Sequence, residues 1–227
     1  MPNLQILSTD IQVAGVISPE EHLRICESLD KNGIAVLRGL LTPSHLDRLQ
    51  NDASHSVGKH FDLGAALGAK LSPIFTPATA EFFFPFLLSG AAVELVTLPS
   101  LLGIVENYLD SSAIIHHALF QESYPVSQPT VDWHVDTGSN KLLNGAVRLP
   151  DKRLRMIVYL TDVVSGGLSY ILDTRDAAKT FLGMEQDTKF PVDRIPTDAA
   201  RRVTIHEPAG TIILFDAHSL HRPEPPT

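Results

Sequence analysis

Trp133-His134-Val135-Asp136 is the stretch whose reading decides the fold and the chemistry of this chain. On an extended strand, successive side chains point to opposite faces. His134 and Asp136 then point one way and Val135 the other, which sets an imidazole beside a carboxylate. The stretch follows Thr130-Val131-Asp132, so a strand over 130–136 is expected. Asp132 shares the parity of His134 and could orient a ligand from behind; a solvated or structural role is as common for such a residue.

The natural partner is His221, separated from Asp136 by 84 residues. It closes a strand-like run, Thr211-Ile212-Ile213-Leu214-Phe215, that starts from the turn signal Pro208-Ala209-Gly210. Two histidines and one carboxylate on a shared face leave open positions opposite, the ligand set of non-haem Fe(II) oxygenases. Zinc accepts the same donors and would make the chain a hydrolase, but no general base stands out. His218 is the competing distal ligand. Three residues from His221, it faces the other way on a regular strand, so His221 is preferred. The chain has ten histidines, and a lone His-x-Asp recurs by chance. The plain alternative is a set of ordinary half-buried histidines; the combination of motifs argues against it.

Working outward, Ser18-Pro19-Glu20-Glu21 has the form of a capping box, with Ser18 as N-cap and Pro19 at the first helical position. The helix is expected to reach Lys31 and stop at Asn32-Gly33. Ile34-Ala35-Val36-Leu37 reads as a short buried strand, and Thr42-Pro43 opens a second helix with Leu46 and Leu49 on its apolar face. Phe82-Phe83-Phe84-Pro85-Phe86 is read first as core or a lid on core, and second as a pocket wall. Pro99 to Leu109 has helical spacing. From Ala113 onward the pattern changes to strands, expected at 113–121, 130–136, 154–162, 168–172, 202–207 and 210–217. Helices first and strands afterwards predict an α+β chain, mainly β, with helices packed outside a sandwich or open barrel. The mouth of such a barrel suits a small-molecule site.

The chain has 227 residues, 44% of them hydrophobic and 19% charged, which suits one domain with a sizeable core. A net charge of −8 argues against general nucleic-acid or anionic-membrane binding. The single cysteine, Cys26, excludes an internal disulfide and a cysteine-rich zinc site. No signal peptide or span of about 20 apolar residues is visible, so a soluble cytoplasmic protein is the default expectation. Oligomeric state is not legible.

The chain resembles the phytanoyl-CoA dioxygenase-like (PhyH) family of Fe(II)/2-oxoglutarate-dependent oxygenases. The residues that carry the likeness are Leu29 to Leu41, Trp133-His134-Val135-Asp136, Leu154 to Val163 with Gly166-Gly167-Leu168 after it, and Gly210 to Phe215 followed by Leu220-His221. The resemblance implies a double-stranded β-helix (jelly-roll, cupin-like) core. It implies a single oxygenase domain over 1–227, with a helical and strand part at 1–112 and the jelly-roll core at 113–227. It implies Fe(II) held by His134, Asp136 and His221, with 2-oxoglutarate and O2 as cosubstrates and a small molecule hydroxylated at a C–H bond. Related halogenases carry a small residue in place of the carboxylate, so Asp136 argues for hydroxylation.

Two departures stand out. Tyr170-Ile171-Leu172-Asp173-Thr174 replaces the family's Pro-Gly-Ser-His turn, which alters a loop. The family also places an arginine about ten residues after the distal histidine, to pair bidentately with the far carboxylate of 2-oxoglutarate. Here the sequence stops at Thr227, six residues after His221. Either the chain continues or another cation substitutes. Arg222 should face away from the site, whereas Arg155, on a core-type strand, is the better candidate. Gln121 is the candidate polar contact to the cosubstrate, with a simple strand-end role as common, and His116 is a candidate pocket residue, for which a core or surface role is commoner. The missing arginine keeps a non-catalytic ligand-binding member of the same fold open as an alternative.

Overall fold

Ile34-Ala35-Val36-Leu37 and Ile212-Ile213-Leu214-Phe215 are unbroken apolar runs because the strands they form are covered on both faces. Ala35, Leu37, Ile212 and Leu214 pack into a core shared with the helices, while Ile34, Val36, Ile213 and Phe215 pack into a second core between two sheets. The structure, a computed structural model, describes residues 7–66, 79–83, 85–115, 117–125, 132–136, 152–175 and 201–227.

The elements in chain order are β1 (Ser8–Asp10), α1 (Pro19–Asn32), β2 (Ile34–Arg38), α2 (Pro43–Ala66), β3 (Thr79–Phe83), α3 (Gly90–Val96), α4 (Pro99–Leu109), β4 (Leu119–Ser123), β5 (Leu154–Val158), β6 (Gly167–Ile171), β7 (Arg202–Ile205), β8 (Ile212–Asp216) and β9 (His221–Glu224). The larger sheet has the order β1-β2-β8-β5 and the smaller the order β7-β6-β9; β3 and β4 pair separately. All pairings are antiparallel except β1 with β2. Leu168, Tyr170, Val203 and Ile205 of the smaller sheet meet Ile34, Val36, Ile213 and Phe215 of the larger, which makes the sandwich. The helices cover the outer face of the larger sheet. The architecture is the expected α+β jelly roll. The larger sheet takes β1 and β2 from the N-terminal part of the chain.

The helix starts follow their local chemistry. Ser18 Oγ accepts the Glu21 amide at 3.3 Å and the Glu21 carboxylate accepts the Ser18 amide at 2.7 Å, completing the capping box. Gly33 ends α1 in the left-handed region at φ 73°. Pro99–Leu109 is helical as expected, although Leu98 supplies no side-chain cap. Phe82 and Phe86 pack against the helix-side core, which favours the core reading of that aromatic cluster.

Two strand expectations change. The strand expected at 113–121 begins only at Leu119, where its described pairing with β3 starts at Phe83. Ile114 is 91% exposed and has no sheet face to bury against. The described part of 130–136 forms one isolated bridge, His134 with His221. A regular ladder would pair Asp136 with Ser219, but the Asp136 amide donates to the Ala217 carbonyl at 2.8 Å. The turn between β8 and β9 stands where the ladder would continue. β5, β7 and β8 are shorter than expected by a few residues at their ends, and β6 is shifted by one residue, within the usual variation of strand ends.

Candidate metal centre

His221 opens β9, and its backbone exchanges both hydrogen bonds with His134. That bridge sets the two rings beside each other, with centroids 4.4 Å apart and planes tilted by 52°. Asp136, two residues along, lies beside both: His134 Nε2 is 3.8 Å from Oδ1 and His221 Nε2 is 3.5 Å from Oδ2. One ligand atom from each of the three lies within 4.8 Å of the other two.

Both imidazoles are held by backbone. His134 Nδ1 donates to the Asp132 carbonyl and His221 Nδ1 to the Ser219 carbonyl, each at 2.8 Å. A carbonyl only accepts, so the proton sits on Nδ1 and the Nε2 lone pair is turned to the carboxylate. This is the arrangement by which ligating histidines are usually oriented. The expected orienting role of Asp132 is therefore performed by its main chain, and its side chain is exposed.

The electrostatics suit a cation. Burial lowers the His134 pKa, and the facing His221 lowers it further, so the ring stays neutral. Burial pushes the Asp136 carboxyl up, but His221, Arg155 and His134 together bring it down to about 2. Neutral imidazoles and an ionised carboxylate are the forms a metal needs. His221 Nε2 is buried and makes no hydrogen bond. Such an orphaned atom is costly unless something binds it, and a dication touching all three residues would satisfy it. The donor set fits a divalent iron, with coordination positions left over.

Arg155 pairs in register with Phe215 and shares its interior face, where Phe215 stands edge-on to His221 at 5.0 Å between centroids. Its Nε lies 2.5 Å from Asp136 Oδ2, an ion pair without hydrogen-bond alignment, and its side chain is 46% exposed. Arg153 Nη1 donates to the Asp136 carbonyl at 3.2 Å. The structure thus brings Arg155 to the triad itself. Arg222 does face away: it pairs with Glu224 and its guanidinium lies 4.9 Å from the Trp133 ring centre. His218 is buried behind the turn, its Nδ1 3.9 Å from Asp216 Oδ1, and is not part of the cluster. Gln121 is exposed on β4 and donates to Ser123 Oγ at 3.2 Å, a local strand-end contact. His116 lies outside the described residues. The two orienting carbonyls and Arg153 had no sequence signal.

No family model matches the chain, and no curated protein matches it. Solved structures do. The non-heme alpha ketoglutarate dependent carbocyclase SnoK from nogalamycin biosynthesis superposes with a TM-score of 0.68 at 15% identity, over 96% of this chain and 81% of that one. EctD from S. alaskensis with bound Fe gives 0.61 at 19% identity, over 99% and 77%. The non-heme alpha ketoglutarate dependent epimerase SnoN from the same biosynthesis gives 0.61 at 16%, over 92% and 77%. At these identities the likeness is one of fold, and it places the chain in the jelly-roll architecture these iron enzymes use.

Proposed function

We propose that the chain is a non-haem Fe(II)- and 2-oxoglutarate-dependent dioxygenase of the PhyH type, a hydroxylase acting on a C–H bond of a small molecule such as an amino acid, an acyl group or a secondary metabolite. One observation carries the reading: His134 Nε2, His221 Nε2 and the Asp136 carboxylate converge within 4.8 Å inside a jelly roll, each imidazole locked by a backbone carbonyl. Iron, 2-oxoglutarate and dioxygen would supply the oxidising power, with succinate and carbon dioxide as coproducts.

The residues divide the remaining work. His134, His221 and Asp136 would hold the metal on one side and leave the other side open. Phe215 closes the inner wall beside His221 and keeps that flank dry. Arg155 supplies positive charge at the partly exposed side of the site, where an anionic cosubstrate would approach. A carboxylate rather than a small residue at 136 supports hydroxylation over halogenation.

The test is anaerobic addition of Fe(II) and 2-oxoglutarate, followed by oxygen. A weak visible charge-transfer band and then succinate are expected. A specific observation favours a second reading, a non-catalytic member of the fold: Arg155 already neutralises Asp136. Absence of the band from folded protein would select it.

A further inference from the structure

The triad hangs on a turn, and the turn hangs on a buried acid that is not a ligand. Asp216, the last residue of β8, is 0% exposed. Its Oδ1 accepts the His218 amide at 2.8 Å and its carbonyl accepts the Ser219 amide at 3.1 Å. The side chain thereby closes its own following turn, as aspartates do at such positions. Oδ2 accepts the Tyr108 hydroxyl of α4 at 2.6 Å and faces Arg175 Nε at 3.1 Å. Arg175 in turn donates to the Leu29 carbonyl near the end of α1. The carboxylate is therefore gripped from the helical layer on one side and grips the turn on the other.

That turn presents two carbonyls to the metal centre. Ala217 O accepts the Asp136 amide, and Ser219 O accepts His221 Nδ1, both at 2.8 Å. Two of the three ligands are thus aimed from one four-residue turn. Displacing Ala217 or Ser219 moves Asp136 or rotates the His221 ring, and ligand geometry tolerates only small errors.

We infer that Asp216, anchored by Tyr108, is a positioning residue for the metal centre: it sets the turn that aims Asp136 and His221. The inference rests on the proposed identity of the metal ligands, and goes beyond it by assigning a role to a residue that touches neither metal nor substrate.

The probe is Co(II) alone, added to metal-free protein. Its visible d–d bands report ligand geometry, and a titration reports affinity. Asp216→Ala, with folding checked by circular dichroism, should weaken Co(II) binding about 10-fold or more, the scale found for groups that orient ligands, and alter the band pattern. Asp216→Asn keeps an oxygen for the His218 amide and should recover most of the affinity and the wild-type spectrum. A folded Asp216→Ala protein with wild-type affinity and bands would overturn the inference, and so would an Asn variant no better than Ala. If the Ala variant does not fold, Tyr108→Phe replaces it: it removes only the hydroxyl held by Oδ2, and unchanged binding and bands there would overturn the inference equally. Wild-type protein that binds no Co(II) overturns both the inference and the ligand assignment. Wild-type protein that binds Co(II), yet forms no succinate with iron, overturns the proposed activity and leaves the positioning role standing.

Discussion

His134 and His221 exchange backbone hydrogen bonds of 3.1 and 3.0 Å in both directions, so two residues from opposite ends of the second half of the chain form one directly opposed pair. The bridge and the two carbonyls set the direction of the rings. Removing any one ligand should therefore cost metal binding without dismantling the sheets. His134→Ala, Asp136→Ala and His221→Ala are expected to lose iron-dependent turnover of 2-oxoglutarate, while His218→Ala keeps iron. Succinate formation at the wild-type rate by a triad variant would remove the basis for the assignment.

Metal should also stabilise the fold by mass action. Binding to the native state alone contributes about 2.7 kcal/mol at a free metal concentration 100 times Kd. A rise in melting temperature on adding Fe(II) under anaerobic conditions is expected for the wild type and absent for Asp136→Ala. Equal shifts in both proteins would place the bound metal elsewhere.

Arg155 sits on the triad carboxylate rather than at a distance from it. Arg155→Ala should raise the 2-oxoglutarate requirement strongly and leave folding intact, since the side chain is 46% exposed. Steady-state KM for 2-oxoglutarate is the readout. An unchanged KM would assign the cosubstrate's partner cation to another residue.

Gly33 is constrained twice. Its φ of 73° is left-handed, and an added Cβ would lie 2.5 Å from the Tyr170 hydroxyl, which donates to the Gly33 carbonyl. Gly15 has a similar φ of 81° with open space around it. Gly15→Ala should cost about 1 kcal/mol from backbone strain alone. Gly33→Ala should cost on the order of 3 kcal/mol, because strain and overpacking add. Equal losses in chemical denaturation would show that the Tyr170 contact yields easily.

Acid should release the capping box at the start of α1. The Ser18 amide, opposed in part by burial and helped by the Gln12 amide, holds the Glu21 carboxyl below its usual range. A carboxylate with a depressed folded-state pKa contributes stability above its unfolded value of about 4.3, and loses it as pH falls through the folded value. Glu21→Gln should flatten the stability profile below about pH 5 and change it little at pH 7 beyond a constant offset. Arg38 clasps Glu207 with two bonds of 2.6 Å, the glutamate side chain being 4% exposed and the arginine 32%. Glu207→Ala should cost about 2 kcal/mol, less than breaking a fully buried pair, because water still reaches Arg38.

Much of this molecule was legible from local chemistry. The Ser18 capping box, the Gly33 stop, the helix at 99–109 and the doubly buried runs at 34–37 and 212–215 all follow from rules that act over a few residues. So does the parity that sets His134 and Asp136 on one side. The structure sets His221, and not His218, beside His134 and Asp136, for a reason the sequence only half contained. His218 and His221 do face apart, but a turn capped by Asp216 separates them, not a continuous strand. What the chain could not announce were the contacts that depend on carbonyl positions. A main-chain oxygen has no residue type, so the Asp132 and Ser219 acceptors leave no mark in the alphabet. The premature end of the 130–136 pairing, the approach of Arg155 to Asp136 and the grip of Tyr108 on Asp216 join residues that are 19 to 108 positions apart. Spacing along the chain specifies which elements form and which face each side chain takes; only the packing of two sheets and a helical layer decides which of those faces meet.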